Sequence, residues 1–160
     1  MTGSAKPKYE PPLQLGDIGL NNFAPYLMNR IIGRYNASLR DEMAALGVTT
    51  PKIRALAVLS VHSGLLIRDL AVYAVVEQST LSRALDALAA DELVRRVPDA
   101  DDSRAVRIHL TEQGRAVFDR LWPHMANTFE NMFADIDPDE QRAFVGTLQK
   151  ILGNTRLHDI

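Results

Sequence analysis

The chain has 160 residues, 46% of them apolar and 24% charged, which is long enough and apolar enough for a packed core and argues against disorder. It contains no cysteine, which excludes disulfides, thiolate-zinc sites and cysteine-based redox sensing, and its formal net charge of −2 gives no overall basic field. No apolar run approaches the roughly 18 residues of a membrane span, and no charged-then-apolar signal opens the chain, so a cytoplasmic protein with no membrane partner is expected.

In chain order, residues 1–16 carry Pro7, Pro11 and Pro12 and show no helical period, which reads as an extended or mobile arm. A first helix is expected from about Asn22, a candidate N-cap, with Pro25 in the opening turn. Leu27, Ile31, Tyr35, Leu39, Met43 and Leu46 keep a three-or-four-residue period, so the helix should run to about Leu46 and stop at Gly47. Thr50-Pro51 marks a second start, with a hydroxyl N-cap and proline at the first helical position. That helix carries Ile53, Leu56, Ala57 and Leu59 and should end at Ser63-Gly64. Ile67 to Tyr73 makes a short helix, Ala74-Val75-Val76 a turn, and residues 77–90 a further helix, together a helix-turn-helix.

In the helix over 77–90, Leu81, Ala84, Leu85 and Leu88 fall at the spacing of one buried face. Ser79, Arg83 and Asp86 point away from them, with Ser82 beside and Gln78 and Thr80 near the start. Hydroxyls, an amide and an arginine are side chains that bond phosphates and base edges, although a solvated surface helix has the same pattern. Val94–Val97 and Val106–Leu110 alternate apolar with polar, as half-buried strands do, and His109 should face solvent. The loop between them, Pro98 to Ala105, is polar and too long for a tight hairpin.

Thr111 launches a long helix bearing Phe118, Leu121, Trp122, Met125, Phe129, Met132 and Phe133, with Pro123 expected to bend it. Asp137-Pro138-Asp139-Glu140 is a capping-box start for a last helix carrying Phe144, Val145, Leu148, Ile151 and Leu152, closed by Gly153-Asn154. This apolar stripe exceeds what one helical hairpin covers and calls for the first helix as well.

The run Gln78-Ser79-Thr80-Leu81-Ser82-Arg83, then Leu93-Val94-Arg95-Arg96, then Asp102-Ser103-Arg104, then Leu110-Thr111-Glu112-Gln113-Gly114, resembles in order and spacing the MarR family of bacterial transcription regulators. The resemblance implies a mainly α fold with a small two-stranded β-wing: a winged helix-turn-helix over 49–111 and a helical dimerisation region over 17–48 and 112–160. Ala74 stands where the family often has glycine. The family's partners would be double-stranded DNA, read by a homodimer on a pseudo-palindrome, and a small aromatic or phenolic effector. Carried onto this sequence, the DNA-binding residues are Gln78, Ser79, Thr80, Ser82, Arg83, Arg95, Arg96, Asp102 and Arg104. Asp102 would hold a neighbouring arginine to order the wing, and Arg104 would reach the minor groove. Tyr35, His62, Trp122 and Met125 lie on helices that would line an effector crevice, the plain alternative being core packing.

One objection is electrostatic. Between Glu77 and Arg107 five arginines face seven carboxylates, so Arg83, Arg95, Arg96, Arg104 and Arg107 would have to be presented on one side while Asp86, Asp91, Asp99 and Asp101 flank, cap or order the loop. His62, His109, His124 and His158 have no two-ligand spacing, and no nucleophile-base-acid set or glycine-rich phosphate loop is visible, so neither metal, cofactor nor catalysis is expected. The rival readings are a winged-helix dimer that binds a protein partner, and a small-molecule binding protein or enzyme that uses the inter-helix crevice.

Overall fold

A computed structural model of the chain describes residues 14–102 and 104–155, in two units divided between Ser38 and Leu39. The first unit holds α1 (Leu15–Ile18), one 3-10 turn (Leu20–Asn22) and α2 (Ala24–Ser38). The expected arm lies outside the described residues as far as residue 13. Its last three residues are ordered otherwise, because the Gln14 amide donates to the Asp17 carboxylate (3.1 Å) and Leu15 and Gly16 open α1. Asn22 is not the N-cap of α2 but part of the turn, its side-chain amide donating to the Ile18 carbonyl (3.0 Å). The Phe23 carbonyl instead accepts the first amides of the helix, from Tyr26 (3.0 Å) and Leu27 (3.2 Å), with Pro25 in the first turn.

The helix expected to reach Leu46 stops at Ser38. The Ser38 hydroxyl donates to the Tyr35 carbonyl at 2.8 Å, a local bond that competes with continuation of the backbone ladder. The second unit begins with buried Leu39 and α3 (Arg40–Ala45), which ends at Gly47 in the left-handed conformation (φ +66°).

α4 (Thr50–Val61) starts one residue earlier than expected, with Thr49 as its N-cap, so Pro51 occupies a first-turn position whose amide would have no helical partner anyway. The helix-turn-helix follows as α5 (Ile67–Ala74) and α6 (Gln78–Ala90). Between α4 and α5 lies a strand that no sequence pattern announces, β1 (Leu65–Leu66), too short to show a period. It joins β2 (Val94–Pro98) and β3 (Val106–Leu110) in an antiparallel sheet of order β1-β3-β2, with Leu66 opposite Arg107 and Arg96 opposite Ile108.

α7 (Glu112–Met132) continues through Pro123, and α8 (Pro138–Thr155) completes the described chain. Asp137 caps α8 through the amides of Asp139 (2.8 Å) and Glu140 (3.4 Å). α8 runs past Gly153-Asn154 because Gly153 does not take the positive φ of a helix stop. Thr111 caps α7: its hydroxyl accepts from the Gly114 amide (3.0 Å) and donates to the Glu92 carbonyl (2.7 Å).

α4 is the centre of the second unit and packs on α5, α6, α7 and β3. Leu56, Leu59, Leu70, Leu81, Leu85, Leu88, Ile108 and Leu121 are fully buried there, each such side chain contributing about 1.5–3 kcal/mol. Among the described residues no helix is long and apolar enough to cross a membrane.

Candidate nucleic-acid interface

The face of α6 that carries Leu81, Ala84, Leu85 and Leu88 is buried on the core, which fixes what the other face can offer. Gln78, Ser79, Arg83 and Asp86 are exposed, and Thr80 and Ser82 are half-buried beside them. The helix starts on Glu77, whose carboxylate accepts from the Ser79 amide (3.4 Å) and hydroxyl (3.1 Å). Arg83 folds back so that Nε lies 3.4 Å from the Ser79 carbonyl oxygen, leaving its guanidinium at the open surface. This face therefore presents an amide, three hydroxyls and one guanidinium, the donor and acceptor set that reads base edges and holds phosphates.

The turn ahead of α6 contains an unexpected strain. Val75, not Ala74, is the left-handed residue, at φ +52° and ψ +51°, an uncommon conformation for a β-branched side chain. Ala74 is buried in α5. The turn is held by the Val76 amide on the Ala71 carbonyl (3.1 Å) and by Arg54 Nη1 on the Val75 carbonyl (3.0 Å).

β2 and β3 carry the wing. Arg95 and Arg96 are both exposed at its base, but Arg96 Nη2 is bonded to Asp86 Oδ1 at 2.7 Å, which ties the outer strand to α6. Asp91, at the end of α6, pairs with Lys52 at 3.4 Å. In the loop, next to its closing bond, Arg104 is 92% exposed; Asp102 Oδ1 accepts its backbone amide (3.0 Å) and stands 3.5 Å from its Nε. Asp102 thus holds the arginine two residues on.

Arg107 is tied down on the wing, although its side chain is still 42% exposed. Its Nε pairs with Asp99 Oδ2, and its Nη1 donates to the Gly64 carbonyl at 2.9 Å. Asp99 Oδ1 also accepts the amides of Asp101 and Asp102, each at 3.0 Å. Those two amides first, and Arg107 further, hold the Asp99 carboxyl below the usual aspartate range. His109, expected to be solvated, is half-buried with its ring against Gly64, where an added Cβ would stand 2.9 Å from Cε1. Burial first, then the charges of Arg95 and Arg107, push its pKa down.

The four crevice candidates are differently placed. Tyr35 belongs to the first unit and is half-buried, which raises its phenol pKa. In the second unit His62 is exposed and stacks on Tyr73 (centroids 5.6 Å apart), Trp122 is exposed with its ring tilted against Phe118 (6.1 Å), and Met125 is half-buried. A shallow groove of about 410 Å³ runs elsewhere, along α8, lined by Pro138, Gln141, Arg142, Val145, Gly146 and Gln149.

A helix-turn-helix with a buried inner and a polar outer face, packed with a three-stranded sheet whose last two strands carry a polar loop ending beside an exposed arginine, is a winged helix-turn-helix of the DNA-binding kind. Residues 46–105 match the model of the MarR family. The fold is similar to the crystal structure of a MarR-family transcriptional regulator from Silicibacter pomeroyi, at 59% sequence identity and a TM-score of 0.89 over 92% of this chain and 100% of that one. A MarR-family regulator from Silicibacter pomeroyi DSS is similar at 31% identity and a TM-score of 0.80, over 87% of this chain and 93% of that one. Among curated proteins, the HTH-type transcriptional repressor NicR of Pseudomonas putida is 26% identical over 127 residues, covering 79% of this chain and 80% of that protein. The chain belongs to the MarR family. It is a DNA-binding transcription regulator, of a family whose members are not enzymes.

Proposed function

We propose that the protein is a cytoplasmic homodimeric repressor that reads a pseudo-palindromic operator and is released from it by a small aromatic or phenolic effector. The observation that carries this reading is the pairing, in one unit, of the polar outer face of α6 with a wing that ends in a solvent-projecting arginine. Two copies related by a two-fold axis would place their α6 helices in successive major grooves about 34–36 Å apart, with each wing over an adjacent minor groove. Gln78, Ser79, Thr80, Ser82 and Arg83 would make the base and phosphate contacts, Arg104 the minor-groove contact, and Arg95 a phosphate contact at the wing's base. Arg96 would support the wing through Asp86.

Dimerisation is supported by the apolar side chains left exposed on one copy: Leu27, Ile31 and Ile32 on α2, Trp122, Phe129 and Met132 on α7, and Phe144, Val145, Ile151 and Leu152 on α8. Exposed side chains of that composition on each helix are what a second copy would cover. Residues 17–48 and 112–160 are accordingly read as the dimerisation region and 49–111 as the DNA-binding domain. Tyr35, His62, Trp122 and Met125 are the residues proposed to contact the effector. The name of NicR favours repression.

Selection of bound sequences from a random duplex pool, with sedimentation of the free protein, tests the reading. The expected result is an inverted repeat bound by a dimer. A monodisperse monomer at micromolar concentration, or a pool that never converges on a sequence, would overturn it and favour a winged-helix module that binds another protein.

A further inference from the structure

The wing loop is organised by one carboxylate. The Asp99 amide donates to the Ala105 carbonyl (3.0 Å), closing the mouth of the loop, while Asp99 Oδ1 gathers the amides of Asp101 and Asp102. Its Oδ2 takes the Arg107 guanidinium, which reaches on to the Gly64 carbonyl. Gly64 donates in turn to the Ile108 carbonyl (2.8 Å) and stands just ahead of β1 and α5. A continuous set of bonds therefore runs from the loop that carries Arg104 to the turn that opens the helix-turn-helix.

We infer that Asp99 and Arg107, closed on the Gly64 carbonyl, form a clamp that positions Arg104 for DNA, and that Arg107 is a positioning residue and not itself a DNA contact. The inference rests on the DNA-binding reading of the wing. Two facts on the clamp support it. The Asp99 side chain is only 6% exposed, so an Arg107 that left it for a phosphate would leave a covered carboxylate with its two loop amides but no ion-pair partner. The Asp102 amide is fixed on Asp99, and Asp102 in turn accepts the Arg104 amide, so the loop backbone under Arg104 is set before DNA arrives. Ordering a loop in advance lowers the entropy that binding must give up to fix it.

The sign of one substitution separates this role from simple charge. Asp99→Ala removes a negative charge near DNA, which by Coulomb's law alone tightens binding. The clamp predicts the opposite: binding of a selected duplex weakened about five- to tenfold. Asp101→Ala, with the same change of charge two residues away, keeps the backbone amide that Asp99 holds and removes only a side chain outside the clamp, so it should bind as well as the wild type or better. In an Arg104→Ala background Asp99→Ala should cause no further loss, since its role is to deliver that side chain and only the gain from the removed charge is left. Thermal unfolding checks that each variant is folded; if Asp99→Ala is not, Asp99→Asn, which keeps an acceptor for the loop amides and removes the ion pair, is judged by the same titrations. Unchanged or tighter binding by the Asp99 variant, or an equal loss with and without Arg104, overturns the clamp while leaving the DNA reading intact. A wild type that selects no duplex overturns that reading and the clamp's role with it.

Discussion

Gly114, in the first turn of α7, lies against the backbone of Leu93: a Cβ built on it would stand 2.0 Å from the Leu93 carbonyl oxygen and 2.8 Å from Leu110 Cδ1. The same carbonyl accepts the Thr111 amide at 3.2 Å, so the start of α7 is seated directly on the start of β2. Glycine is required there by close approach, not by φ. An alanine in an unobstructed helix gains up to about 1 kcal/mol over glycine, but here it meets main chain, which cannot swing aside.

Gly114→Ala is therefore expected to destabilise the protein by about 3 kcal/mol or more, near the top of the range for overpacking. Denaturant unfolding at fixed protein concentration measures it. A loss under about 1 kcal/mol would mean that α7 shifts freely on the wing.

At Val75 the expected change has the other sign. The residue is left-handed and 77% exposed, so little packing offsets the cost of that backbone, about 1–2 kcal/mol for a residue with a Cβ. Glycine would remove the strain and return part of the gain as unfolded-chain entropy. Val75→Gly should raise stability by about 0.5–1 kcal/mol with DNA affinity unchanged. A lower melting temperature would mean that the exposed valine makes a contact in the assembled protein.

The contrast between these two positions explains what could be read from the sequence. The buried face of α6 was legible because Leu81, Ala84, Leu85 and Leu88 repeat at a period only a helix satisfies, and all four are buried. The wing strands were legible from alternation, and the Leu110-to-Gly114 motif from resemblance, although the reason for Gly114 needs the Leu93 carbonyl in view. Three features depend on interactions that no local pattern records. The Ser38 hydroxyl bonds the Tyr35 carbonyl where α2 ends, β1 is too short for a period, and the left-handed turn residue is Val75, one place past the Ala74 that stands where the resembled family often has glycine. The Asp99–Arg107 pair spans eight residues and closes on Gly64, so only the sheet register brings its parts together.

On α6, Arg83 is the cation of the outer face, and among the described residues it is held by a long bond to the Ser79 carbonyl. Releasing it to DNA costs little. Arg83→Ala should weaken binding of the selected duplex by roughly 1–3 kcal/mol and relax preference at one base pair if the guanidinium reads a guanine. Affinity measured on the selected site and on single-position variants decides between base and phosphate. An equal loss on every sequence marks a phosphate contact, and no loss at all removes Arg83 from the interface.

Arg104 gives the most direct test of the wing. Its side chain is almost wholly exposed and its ionic partner among the described residues, Asp102, is itself half-exposed at 3.5 Å, so the pair adds at most about 0–1 kcal/mol to folding. Arg104→Ala should accordingly leave the melting temperature and the oligomeric state unchanged. Its effect should appear on DNA: affinity reduced several-fold or more, and the slope of log affinity against log salt lowered in magnitude by about one unit for each phosphate that the arginine neutralises. A minor-groove insertion that touches no phosphate would lower affinity more on sequences with a narrow groove and leave the slope nearly unchanged. Titration across several salt concentrations, on A·T-rich and G·C-rich flanks, separates these cases. If affinity and slope both match the wild type on every duplex, the loop from Asp99 to Ala105 is not a DNA-contacting wing.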